Sequence, residues 1–214
     1  MTPAILLSSR AGGRYLACLV VCCLVGALWS RYALKIHWAT DHPAVVMGIP
    51  ELCAILLTCL GVIGLRPRLW IIDRLGTPSR RWIPSTAAAI LTLGGPQLVL
   101  VLAAAVALRP GTWSLSATTI LFLAGLAILA SPFVGALRAG SLTMLLYLSL
   151  TVTAQLDPRF GTWSPLAVVT WPDVEPIANG KAALAVTTSA AALAVTVRTL
   201  GRTARTWGQD LDTA

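Results

Sequence analysis

Residues 66–82 read RPRLWIIDRLGTPSRRW, and they separate two long apolar runs, 44–65 before them and 86–108 after. The stretch holds five of the chain's sixteen Lys and Arg residues: Arg66, Arg68, Arg74, Arg80 and Arg81. Basic loops beside membrane spans stay on the cytoplasmic side. The stretch therefore sets the direction of its neighbouring spans. It also offers the chain's largest candidate surface for a cytoplasmic partner.

The composition supports a membrane setting. The chain is 57% hydrophobic and 11% charged, with a mean hydropathy of +0.79. Soluble domains carry about 25% charged residues, so most of this chain does not face water. Its 214 residues are better measured in spans of about 20 residues. The net charge of +8 does not point to nucleic acid. The bases are not gathered on one polar face; they sit at the ends of apolar runs, where topology and snorkelling place them.

Six apolar runs predict an all-α polytopic membrane protein, one transmembrane domain over 1–214, with spans at about 15–30, 44–65, 86–108, 113–137, 139–156 and 181–200. Gly12-Gly13 is expected to break any helix ahead of the first span. Arg109–Thr112 and Arg138–Ser141 read as short polar links, and Pro96 as a kink in the third span. Six spans put both termini on one side. With the termini inside, eleven of the sixteen bases are cytoplasmic: Arg10, Arg14, the five of the loop, Arg138, Arg198, Arg202 and Arg205. Arg31, Lys35, Arg109, Arg159 and Lys181 stay outside. Every inside segment agrees with the positive-inside bias.

Residues able to carry chemistry are few. Glu51 is the one acid inside an apolar run. Ionisable groups there are costly and often functional, but Glu51 lies near the outer end of its run. It reads either as a carboxylate that caps or bonds a neighbouring helix, or as a pathway or gate residue. Gln97, near the middle of the third run, reads as interhelical glue or as pathway lining. The five cysteines lie within apolar runs without a CxxC pair, and read as small packing residues. His37 and His42 fall in the polar link 30–42, not inside a span, which argues against haem ligation. No phosphate-binding GxxxxGK[ST], no HExxH and no GxSxG occurs. The chain is therefore not expected to be an enzyme, and no metal site is expected.

Within the basic loop, Leu69, Ile72 and Leu75 recur at helical spacing, and Gly76-Thr77-Pro78 stops the pattern. This short helix is either a membrane-surface anchor or a docking helix for a cytoplasmic protein. Residues 157–180 are broken by Pro165, Pro172 and Pro176 and carry Trp163 and Trp171. They read as one or two short outer half-helices at the membrane surface.

In layout, the chain resembles ABC-2 type transporter permeases. The shared features are six spans with both ends inside, a cytoplasmic helix between spans two and three, and a Pro- and Trp-bearing outer segment before the last span. The resemblance covers most of the chain but rests on no signature residues. The chain is shorter than is usual for that family, and the stretch before Arg14 is too short for the interface helix many members carry. The resemblance implies an exporter subunit in the plasma membrane that binds no cofactor itself, ATP being bound by a separate ATPase. It implies that Leu69, Trp70, Ile72, Asp73 and Arg74 form the coupling helix that docks on that ATPase, and that 160–175 forms re-entrant outer helices. It also implies dimerisation with a second copy or a paralogue. The alternative from another class is a non-transporting membrane protein, an immunity or assembly factor.

Overall fold

A backbone surrounded by lipid has no water to satisfy its N–H and C=O groups, and a helix satisfies them within one segment. The computed structural model describes residues 12–36, 45–64, 83–107, 110–156 and 178–199. Among them it forms six helices: α1 (Gly12–Leu28), α2 (Ile49–Gly64), α3 (Ile83–Ala107), α4 (Pro110–Val134), α5 (Ala136–Leu156) and α6 (Ala178–Thr199). The last four are long and apolar enough to cross a membrane; α1 and α2 are shorter apolar helices of 17 and 16 residues. The loop 66–82 and the outer segment 160–175 lie outside the described residues, and with them Leu69, Trp70, Ile72, Asp73 and Arg74.

The boundaries correct the sequence reading in three places. Residues 45–48 do not begin the second helix. They form a strand, β2 (Val45–Gly48), antiparallel to β1 (Ala33–Ile36), with Ala33 opposite Gly48 and Ile36 opposite Val45. The β-branched pair Val45-Val46 suits a strand. The helix that follows starts beside Pro50, which lacks an N–H and is tolerated in a first turn. Gly12 and Gly13 open α1, and the stretch ahead of them lies outside the described residues. Arg109–Thr112 is not all turn, because Pro110 opens α4. Arg138–Ser141 is not a link but part of α5. The break falls at Gly135, whose φ of +88° few other residues tolerate. Its N–H donates to the Ser131 carbonyl at 3.1 Å, ending α4 one residue before α5 begins.

Named contacts give the helices their relative directions. Tyr15, early in α1, donates its hydroxyl to the Leu91 carbonyl in the first half of α3 at 2.8 Å. Gly26, late in α1, lies against Val99 of α3 and Pro50 at the start of α2. Cys59, late in α2, donates its thiol to the Gly140 carbonyl early in α5 at 3.2 Å. One apolar cluster gathers Val62 of α2, Leu93 of α3, Ile128 of α4, Ala139 of α5 and Ala192 of α6. The helices therefore alternate. One end of the bundle holds the starts of α1, α3 and α5 and the ends of α2, α4 and α6. The hairpin lies at the other end.

The surface is apolar, and the interior is mostly apolar with a minority of hydroxyl side chains. Val20 (57% exposed) and Leu145 (60%) face outward. The threonines Thr58, Thr92, Thr143, Thr151 and Thr196 are buried. Each donates to the carbonyl one turn back on its own helix, at 2.7–3.0 Å. This leaves no hydroxyl unsatisfied at those five positions.

Small residues allow the helices to approach closely, as expected where apolar lipid gives no hydrophobic drive to association. A Cβ on Gly61 would lie 2.8 Å from the Thr92 hydroxyl; one on Gly125 would lie 3.1 Å from the Thr188 side chain. A Cβ on Gly95 would lie 2.5 Å from the Tyr15 hydroxyl, whereas one on Gly94 meets nothing within 4 Å. Gly94→Ala should therefore be neutral or stabilising, by up to about 1 kcal/mol of helix propensity. Gly95→Ala should destabilise the purified protein, and Tyr15→Phe should relieve part of that loss. Equal effects of the two alanines on the unfolding midpoint would contradict the packing described.

Candidate functional site

The described residues place one acid inside the bundle, Glu51. It is the third residue of α2, and its position follows from the hairpin beneath it. Tyr32, beside β1, accepts the Ile49 N–H at 3.5 Å, and Gly48 precedes the first helical residue. A glutamate at the third position of a helix can reach back to the N–H of the capping residue. Glu51 does so, accepting the Gly48 N–H.

The carboxylate has further partners on two other helices. Ser116 of α4 donates its hydroxyl to Oε1. Tyr147 of α5 donates its hydroxyl to Oε2 at 3.3 Å. Tyr147 is fully buried and packs with Ile55 of α2 and Leu123 of α4. One carboxyl group thus joins α2, α4 and α5 at the hairpin end of the bundle. Among the described residues its partners are two hydroxyls and one backbone N–H, with no cation.

Both sequence readings of Glu51 bear on this geometry. The capping and interhelical bonds are present; a pathway or gate role is a separate matter. Gln97, the other candidate, is half-buried in α3, three residues from Leu100 and four from Leu93, both buried. Its Nε2 is buried and has no hydrogen-bond partner. The expected interhelical bond from this amide nitrogen is therefore not formed, and Gln97 does not donate to Glu51. The other buried orphan is the Thr119 hydroxyl of α4.

Ser116 and Tyr147 were not legible as site residues in the sequence. Tyr147 had a signal: of three tyrosines in the chain, it alone lies in the middle of an apolar run. A buried tyrosine hydroxyl usually finds a partner. Ser116 had none, being one of several hydroxyl residues in 112–119. No group of three or more His, Cys, Asp or Glu forms among the described residues. All five cysteines are free thiols, four of them against the α1–α2–α3 cluster around Tyr15.

Comparison with protein-family models, with curated proteins and with solved structures finds no match to this chain.

The bonds to Glu51 have a bounded expected strength. Interhelical bonds in membranes average about 0.6 kcal/mol and reach about 1.7 kcal/mol. Tyr147→Phe and Ser116→Ala should each cost within this range, and Glu51→Ala more than either, since it strands both hydroxyls. Denaturant titration of the purified protein in detergent checks the order. A Ser116→Ala variant as stable as wild type would show that this bond is not a structural tie.

Proposed function

We propose that this chain is the membrane-spanning subunit of an ABC-type exporter, powered by a separate ATPase. All six helices would span the plasma membrane, with both termini in the cytoplasm. The reading is carried by one observation, the placement of positive charge on the alternating bundle. Arg14, Arg138 and Arg198 are exposed at the end that holds the start of α1, the start of α5 and the end of α6, against Arg31, Lys35 and Lys181 at the other end; the excess comes from the five bases of the sequence 66–82. The basic stretch 66–82 joins α2 to α3 and so leaves and re-enters at that same end. Positive charge concentrated at one end of a membrane bundle marks its cytoplasmic face. Glu51 and the hairpin then belong to the outer face.

In this reading Leu69, Trp70, Ile72, Asp73 and Arg74 form a short interfacial helix that docks on the ATPase and passes its motion to α2 and α3. ATP is bound by the partner, and this chain carries out no chemical step. The substrate would pass between two copies of the chain, or between this chain and a paralogue. Short helices within 160–175 would line the outer mouth. Glu51 and Gln97 are the pathway or gate candidates, because a buried carboxylate and an unpaired amide are the polar groups a passing solute could meet.

The double variant Trp70→Ala with Asp73→Ala tests the docking claim. The variant should insert and purify as wild type does, yet lose co-purification of the ATPase. Undiminished ATPase association would remove the docking role from this stretch and leave it as a topology anchor.

A further inference from the structure

Cys18, Cys22, Cys23 and Cys53 lie together where α1 meets α2. Two of these free thiols meet directly: Cys22 donates its S–H to the sulfur of Cys53. The backbone explains the approach. Gly26 of α1 has no side chain, and a Cβ there would lie 3.7 Å from the Pro50 Cα at the start of α2. The two helices run antiparallel. One turn back from Gly26, on the same face of α1, is Cys22; one turn on from Pro50, on the same face of α2, is Cys53. The close approach at Gly26 and Pro50 therefore extends to the two sulfurs.

We propose that Cys22 and Cys53 are an oxidisable dithiol, which a lipid-soluble quinone closes into a disulfide tying α1 to α2. Two S–H bonds break and one S–S bond forms. Two electrons and two protons pass to the quinone, which leaves as the hydroquinone. A disulfide needs Cα atoms about 4.4–6.8 Å apart, and thiols already in S–H···S contact on closely packed helices suit that requirement. The surroundings select the oxidant. Cys22 is buried, at 6% exposed. Cys53 is partly exposed, and Leu56, one turn on along α2, is 50% exposed. Side chains exposed at this level of a membrane bundle face lipid. Glutathione disulfide is charged and stays in water, and buried thiols are inert to such reagents. An apolar two-electron acceptor dissolved in the bilayer reaches the Cys53 side directly. Cys59 stands apart from the pair, its thiol bonded to the Gly140 carbonyl. Closing the disulfide needs no ATPase, so the dithiol is independent of the exporter reading.

The test uses the full chain purified in mild detergent with its five thiols reduced. It is treated with a fully substituted benzoquinone carrying a short alkyl tail, or with glutathione disulfide at the same concentration. Free thiols are counted by maleimide labelling on denaturation, and disulfides are located by peptide mass mapping. Quinone-treated wild type should lose two thiols, give a Cys22–Cys53 linked peptide, and recover both thiols in dithiothreitol. Glutathione disulfide should leave all five free. Cys22→Ser and Cys53→Ser should each abolish the loss, whereas Cys18→Ser and Cys23→Ser should keep it. Survival of all five thiols in quinone would overturn the dithiol, as would a disulfide that maps to any other pair. Equal closure by glutathione disulfide would overturn the assignment of an apolar oxidant. The linked peptide is read on wild type, so the test holds even if a serine variant fails to fold.

Discussion

A polar group left unpaired in lipid costs several kcal/mol, and that constraint organises this molecule. It makes the backbone helical and turns buried threonine hydroxyls onto their own carbonyls. It also explains why Glu51 sits where it does. At the third position of α2 the carboxylate is within reach of the Gly48 N–H and of hydroxyls from α4 and α5. Moved one turn deeper, toward Ile55, it would keep Tyr147 and Leu123 as neighbours but lose the capping N–H. The hairpin at this end presents Gly48 to the carboxylate and Tyr32 to the Ile49 N–H. It supplies the donors and acceptors that a helix start at the membrane surface lacks.

Close helix packing is the complement of this polar pairing. Gly61, Gly95 and Gly125 each stand where a side chain of a neighbouring helix fills the space a Cβ would need. The Tyr15 hydroxyl reaches the Leu91 carbonyl across such a gap. Dispersion attraction at close approach, not the expulsion of water, then holds the helices together. The exposed Val and Leu side chains of α1, α3 and α5 form the surface that lipid covers.

The sequence shows the helices well because apolar runs and Pro, Gly and Arg punctuation are local signals. It shows Glu51 well because an acid in an apolar run is rare. Ser116 and Gly48 were hidden because their roles depend on which helices meet, and that is set by tertiary packing. The strand at 45–48 was hidden for another reason. A short apolar stretch that runs straight into a helix has no periodicity of its own, and Val45-Val46 suits either state. Between α4 and α5, polarity points to Arg138 as the break, whereas backbone conformation places it at Gly135. A helix can carry an arginine at its snorkelling end, but a positive φ ends it.

The exporter reading takes the excess of basic residues in the sequence, five of them in 66–82, as the mark of the cytoplasmic side. Its central claim is that the basic end meets an ATPase. The most direct measurement is recovery of the tagged chain from its native cells in gentle detergent, with bound proteins identified by mass spectrometry. The exporter reading predicts an ATPase carrying a GxxxxGK[ST] phosphate-binding loop, in stoichiometric amount. A pure preparation with no nucleotide-hydrolysing partner would contradict it, and would assign the chain to a non-transporting immunity or assembly role.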